Sequence, residues 1–391
     1  MRSMNRRELL MKSGLGLLGL GLAACAPRIG TVGVARAMRR LVPVRASWDR
    51  VIRTTVGLRP YRPSGFVLRA ERLGGKMLIH NYGHGGSGMS LSWGTGQRAA
   101  ELALEQPERR AAVLGCGVAG LTTARQLQRR GFDVTIYAAS VPPDTTSNMS
   151  LAGWTPTSGL VETDRRTSAW DTQLRRAATV AYRQLQLLVG RGYGVSWLDG
   201  YFLIDELPGG GDGPPASGDA PAREPLLPPD LQTGSTVLRP GEHPFPTRYA
   251  VLSSSLRIEP SIYMDALVRD VREAGAGIVI RRFDTPGDVA ALDEPVVVNC
   301  TGLGSGALFG DAEIRPLKGQ LTLLVPQAEV DYSTFGSAMP SAGGFVHMQP
   351  RSDGIALGGT SVEGDWSLEP DEDARRRIVE AHIDLFGRMR T

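Results

Sequence analysis

The sequence predicts an α/β fold in two parts, a parallel βαβ unit and a mixed, largely antiparallel sheet. Three observations lead there. "AAVLGCGVAGLTTARQLQRRGFDVTIYAA", Ala111 to Ala139, is an apolar strand, a glycine turn, a helix with Leu121, Ala124 and Leu127 on one face, and a second strand. From about Gln320 to Gly359, apolar runs of strand length alternate with turn residues. The 391 residues are enough to bury more than one core.

Taken in chain order, the opening "MRSMNRRELLMKSGLGLLGLGLAACAP" has a basic start, an apolar stretch from Ser13 to Ala24 and a small-residue ending. The apolar stretch is too short to span a bilayer, which needs about 20 residues. Arg6-Arg7 with Leu9 and Leu10 resembles a twin-arginine export signal, and "LAAC" resembles a bacterial lipobox with Cys25 as the lipidated residue. Residues 1–25 are therefore expected to be an export signal. The localisation that follows is periplasmic or anchored to a membrane through Cys25, with a cytoplasmic protein as the alternative.

The Arg-rich stretch 26–48 reads as a linker. "RVIRTTVGLRPYRP" is a β-branched strand that stops at prolines. "GKMLIHNYGHGGSGMSLSW" is a short strand entering a glycine-rich loop, and "GTGQRAAELALEQ" has helical spacing. Past the βαβ unit, "DTQLRRAATVAYRQLQLLVGRGYGV" predicts a helix. Residues 208–230 are rich in Pro and Gly and predict a flexible insertion. "IEPSIYMDALVRDVREAGAGIVIRRF" is a helix then a strand, and "PVVVNCTGLGSGAL" is a buried strand with a glycine turn. "EPDEDARRRIVEAHIDLFGRM" is a capped terminal helix.

Gly115, Gly117 and Gly120 form G-x-G-x-x-G between strand and helix. The first permits the turn, the second lets a pyrophosphate approach the backbone, and the third lets helix and strand pack closely. The helix N-terminus supplies amide donors for phosphate, so the unit reads as Rossmann-like. A carboxylate normally ends the second strand and binds the adenosine ribose. Here "TIYAAS" offers Ala138, Ala139 and Ser140, leaving Ser140, backbone groups or Asp144 for that task.

The formal charge is +4, but the first 24 residues hold four basic groups against one acid, so the remainder is nearly neutral at +1. No basic run with interleaved aromatics is present, which argues against a nucleic-acid partner. Three cysteines exclude a disulfide framework, and five scattered histidines offer no metal-ligand spacing. Cys116 and Cys300 read as small packed residues.

"GLRPYRP", "HNYGHGGSG", "TTSNMSLAGWTP", "VNCTGLGSGAL", "RPLKGQ" and "LGGTSVEGDW" together resemble phrases of the D-amino acid oxidase family, from approximately Arg45 to the C-terminus. The resemblance implies an FAD-binding Rossmann-like domain joined to a substrate domain. By position, Gly115, Gly117 and Gly120 hold the pyrophosphate, while Thr145, Thr146, Ser147 and Gly153 belong to a second flavin-contacting loop. Phe283 matches a position whose backbone faces the adenine. Gly85, Gly88, Met89 and Ser90 match the loop that wraps the isoalloxazine, with Ser90 at a helix N-terminus facing the cleft. Arg59 matches the arginine that pairs with a substrate carboxylate through its guanidinium fork. Arg62 reads as a structural partner, and Gly86 matches a carbonyl that accepts from the substrate amine. His80 and His84 read as residues that hold the loop's shape.

The chemistry implied is oxidative deamination of a D-amino acid or related amine, with hydride passing from Cα to flavin N5. Oxygen or another acceptor then reoxidises the cofactor. The family places tyrosines where this chain has Gly343 and His347, and Thr155 stands ahead of a proline in the flavin loop. His347 is then a carboxylate donor, a pH-sensitive contact, or a strand histidine with no role in chemistry. The alternative is a family member that keeps FAD without amino-acid oxidase activity. An NAD(P)-linked dehydrogenase rests on the glycine turn alone.

In the family, "GLRP" and "HNYGHGG" come after the glycine turn, whereas here they come before it. The chain is thus expected to be circularly permuted, with a new join at "ALEQPERR", Ala103 to Arg110. Domains then run as 49–110, the relocated part of the site; 111–160, the FAD-binding βαβ unit; 161–255, substrate domain with the insertion; 256–320, FAD-binding domain again; and 321–391, substrate sheet and final helix.

Overall fold

The computed structural model describes residues 39–207, 226–336 and 344–390. The export signal, Cys25, residues 208–225 of the insertion and Gly343 lie outside the described residues.

Among the described residues, fifteen strands make two sheets. In order they are β1 (Val51–Tyr61), β2 (Val67–Leu73), β3 (Lys76–Tyr82), β4 (Arg110–Leu114), β5 (Asp133–Ala138), β6 (Val195–Ile204), β7 (Ser235–Leu238) and β8 (Tyr249–Ile258). There follow β9 (Gly277–Ile280), β10 (Val296–Asn299), β11 (Arg315–Leu324), β12 (Tyr332–Gly336), β13 (Val346–Arg351), β14 (Gly354–Gly358) and β15 (Val362–Glu363). The helices are α1 (Gly88–Ala103), α2 (Val118–Gln128), α3 (Ser168–Leu188), α4 (Pro260–Glu273), α5 (Pro286–Ala290), α6 (Gly304–Phe309) and α7 (Glu372–Gly387).

The first sheet has the order β2-β3-β10-β4-β5-β9. Its β3, β10, β4, β5 and β9 run parallel, and β2 is antiparallel. Parallel strands are buried on both faces, so β10 reads Val-Val-Val-Asn without alternation. One face packs Ile79, Val113 and Val298 against Leu91, Leu121 and Leu127 of α1 and α2. The other packs Leu78, Ala112 and Val297 against Val289 and Leu308 of α5 and α6.

The second sheet runs β1-β11-β14-β13-β12-β6-β8-β7, with β15 beside β11. It is antiparallel except where β12 meets β6. Helix α7, capped by Asp371, buries Ile378, Leu385 and Phe386 on its outer face.

The sequence expectations need four corrections. Residues 39–48 are not a linker: Leu41 and Val44 are buried beside Phe386 and Met389. The end of the insertion is anchored, because Leu226, Leu227 and Leu231 are apolar enough to join the core, and Trp154 donates to Leu231 O. Helix α3, expected with the substrate sheet, buries Leu174, Ala178 and Leu185 in the core that holds α1. Strand β11 crosses residue 320 and belongs wholly to the second sheet, so that boundary falls earlier.

The two ends of the described chain meet. Tyr332 Oη donates to Val42 O at 2.9 Å, and Met389 Sδ lies 3.7 Å from Tyr332 Oη.

Candidate active site

A cavity of about 1060 Å³ opens between the C-terminal edge of the parallel sheet and the inner face of the second sheet. Ligands of open α/β sheets bind at this edge, where strands end and connections diverge. The volume is at the upper limit of ordinary ligand pockets, room for a dinucleotide and a small molecule together.

Of the expected residues, Arg59, Gly86, His347, Gly115, Gly117, Thr145, Thr146, Ser147, Gly153, Phe283, Gly85, Gly88 and Met89 all line it. Gly115 sits at φ +110, beyond the comfort of an L side chain, and its N–H donates to Tyr137 O at 2.7 Å. Gly120 lies behind the wall, where a Cβ would collide with Gly115 O. Phe283 stands three residues beyond the end of β9, with the Arg281 guanidinium 4.7 Å from its ring centroid. Ser147 Oγ accepts from Val118 N at 3.0 Å, bringing the second loop onto the start of α2.

Ser90 is corrected. It is fully buried and does not line the cavity, since at the third residue of α1 its side chain has rotated inward. Its hydroxyl donates to Gly153 O and accepts from Thr155 N, each at 2.8 Å. It holds the 145–155 loop in place and is not among the residues that line the cavity. Gln349, which sequence reading missed, fixes the same loop by donating to Leu151 O and Ala152 O at 3.1 and 3.0 Å. Ala152 needs that support, because it is held at φ +58.

The two motif histidines shape their loop. His84 pairs with Thr95 Oγ1 and stacks on Phe66, and burial pushes its pKa down to about 4. His80 bridges Glu71 and Asn299. Arg62 is tied to Asp311 at 2.7 Å and Glu313 at 2.8 Å. Burial opposes the Asp311 charge, but Arg62 and Tyr82 donate to it and hold its carboxyl below the usual range.

Arg59 differs from Arg62. Its Nε donates to Leu317 O at 3.0 Å, and its Nη2 to Lys318 O and Thr360 O at 3.3 and 3.0 Å. Among the described residues no carboxylate balances it and Nη1 has no partner, so desolvation lowers its pKa. The guanidinium lies over Gly319, where a Cβ would stand 2.6 Å from Nη2. The two-nitrogen fork is thus narrowed, because three of five N–H groups serve backbone carbonyls and the pair on Nη1 remains for a ligand. A partly buried cation without a counter-ion, facing a cavity, is a place for an anion.

His347 lies over Gly358, which has no side chain to displace its ring. Burial, then His382 and Arg59, push its pKa down to about 3. The expectation of a pH-sensitive contact is therefore corrected: this imidazole is neutral throughout the physiological range. Its Nδ1 is buried without a partner. His347 sits 6.3 Å from Phe335 and 6.0 Å from Phe345, which is 6.4 Å from Phe202. These rings, with Leu198, Ser253 and Ser333, form the wall beyond Arg59.

Cys116 and Cys300 are buried free thiols whose pKa values burial raises. Among the described residues no three His, Cys, Asp or Glu side chains gather as a metal site.

A family model described as "FAD dependent oxidoreductase" (DAO) matches residues 28–102 and 110–390. The D-amino-acid oxidase of Rubrobacter xylanophilus is 30% identical over 287 residues, 72% of this chain and 78% of that protein. That of Streptomyces coelicolor is 32% identical over 273 residues, 68% of this chain and 74% of that protein. In fold, glycine oxidase from Geobacillus kaustophilus is similar, with TM-score 0.50 and 14% identity over 72% of this chain and 80% of that chain. The cavity fits FAD: a glycine turn without side chains for the pyrophosphate, the 145–153 loop beside it, and a glycine-rich bend at 83–88 for the flavin rings. The chain belongs to the DAO family of FAD-dependent oxidoreductases.

Proposed function

We propose that the protein oxidatively deaminates a D-amino acid whose side chain is uncharged and bulky. The observation that carries this reading is Arg59, an uncompensated, partly buried cation sharing one cavity with the glycine turn and the aromatic wall. The D configuration is supported by the names of the Rubrobacter and Streptomyces relatives. FAD, when bound, supplies two-electron oxidation of the Cα–N bond.

The protein's own residues bind and orient. Nη1 of Arg59 receives the substrate carboxylate, and its three carbonyl bonds stop the guanidinium from following the ligand. Neutral His347 gives that carboxylate a second donor while adding no charge. Gly86 O accepts from the amine, in a loop pinned by Gly86 N to Gly159 O. Phe202, Phe335 and Phe345 give the side chain an apolar wall to pack on. An acidic or basic side chain would meet no partner there and lose its hydration.

The test is anaerobic bleaching of the yellow holoprotein. D-Phenylalanine or D-leucine bleaches it, D-aspartate and D-lysine do not, and L-enantiomers are inert. A yellow protein that no amino acid bleaches supports instead the family member without oxidase activity. Oxygen uptake against dye reduction then identifies the acceptor.

We also infer that residues 1–25 export the protein through a twin-arginine route, with Cys25 lipidated. Replacing Arg6-Arg7 by lysines then retains the protein in the cytoplasm. The circular permutation is supported by the break in the family match at 103–109 and by the meeting of the chain's described ends at Tyr332. A chain rejoined at those ends and opened at 103–109 should still bind FAD.

A further inference from the structure

The adenosine end of the cavity is built from the ends of β5 and β9. Here Ala138, Ala139 and Ser140 face Arg281, Arg282, Phe283 and Asp284. The two strands are in register, Ala138 opposite Ile280, and Arg281 N donates to Ala138 O at 2.9 Å. Arg281 therefore stands beside the position where a dinucleotide site ordinarily carries its ribose carboxylate.

Its neighbour is already engaged: Arg282 Nε pairs with Asp284 at 3.2 Å, out in solvent. Arg281 forms no salt bridge among the described residues, although the Asp288 carboxylate is near enough to feel its charge. Its guanidinium lies on the Phe283 ring, which holds the side chain along the cavity rim.

We propose that Arg281 replaces the missing carboxylate and anchors the adenosine ribose with the opposite polarity. A carboxylate accepts from the 2′- and 3′-hydroxyls, whereas a guanidinium donates to their oxygens. Every hydroxyl can play either part, so the cofactor is held equally well. The difference is in what else is tolerated: a carboxylate repels a phosphate on the 2′-oxygen, and Arg281 attracts it. The subsite thus accepts a 2′-phosphorylated adenosine. This inference rests on the cavity being the FAD site.

The experiment uses apoprotein stripped of FAD, with FAD rebinding followed by flavin fluorescence. The competitors are 5′-AMP and adenosine 2′,5′-bisphosphate. The bisphosphate should compete about tenfold better than AMP, since one charge-assisted contact is worth roughly 1.4 kcal/mol or more. Arg281→Ala should abolish that preference and weaken FAD about tenfold, while Ala139→Asp should abolish the preference and retain FAD. Arg281 is exposed, so both variants should keep the wild-type melting temperature. Equal competition by the two nucleotides, with FAD affinity unchanged in Arg281→Ala, overturns the proposal. Wild-type apoprotein that takes up no FAD at all would instead refute the FAD reading beneath it.

Discussion

Replacing Arg59 by lysine keeps the charge and removes the geometry. Lysine has one nitrogen where arginine has three, so it cannot serve Leu317 O, Lys318 O and Thr360 O while facing the cavity. If its ammonium turns to those carbonyls, the substrate carboxylate loses both Nη1 donors. Two charge-assisted hydrogen bonds at about 1.5–3 kcal/mol each predict a loss of roughly 3–6 kcal/mol, or 10²- to 10⁴-fold in kcat/KM. If it turns to the substrate, the carbonyls are orphaned and stability falls by about 1–3 kcal/mol for each. The assay is anaerobic stopped-flow bleaching across a range of D-phenylalanine concentrations, with thermal melts of the same preparations. Arg59→Leu should be worse in rate and still yellow. A lysine variant within fivefold of wild type in kcat/KM, with unchanged melting, would refute this account of Arg59.

All five histidines of the chain have pKa values lowered by burial, to about 4 for His84 and His382 and about 3 for His347. Below pH 6.5 the unfolded chain binds protons that the folded chain refuses. Stability present above pH 6.5 is therefore lost as the pH falls towards 4. Those three groups alone predict a loss of about 5 kcal/mol between pH 6.5 and 5 and uptake of about three protons on unfolding at pH 5, measured from urea midpoints; uptake below one proton contradicts it. Gly319→Ala should push the Arg59 guanidinium off its seat and weaken binding of a simple aromatic carboxylate about tenfold, by difference spectroscopy, with FAD retained. Ser90→Ala strips the flavin loop of two buried hydrogen bonds and should cost about 2 kcal/mol in stability and tenfold in FAD affinity, read from melts and fluorescence.

The βαβ unit was legible because its strands and helix obey their periods and its glycines sit where a turn needs them. Helix α1 begins at Gly88, inside the presumed loop, because Gly94 and Gly96 are there to let α3 and α2 approach closely, which hides the helical pattern. Leu41 and Val44 escaped notice as two apolar residues in an Arg-rich stretch. Arg59 could be named from "GLRP", but the three carbonyls that narrow its fork lie at least 258 residues away. The role of Ser90 turned on which way a helix is rotated about its axis, and sequence spacing does not record that. Gln349 carried no signal at all, because its meaning comes only from the strained Ala152 it supports.

The pairing of β1 with β11 sets the timetable of synthesis. Val56 lies opposite Gln320, 264 residues later in the chain, and Met77 of β3 waits 219 residues for Val296 of β10. A ribosome emits the roof of the cavity first and must finish most of the floor before either sheet can close. Until then β1 and β3 are unsatisfied edges, open to chaperones and to aggregation. The protein should therefore fold and take up its cofactor only after release, as a single late event, and a nascent chain arrested before residue 315 should bind no flavin.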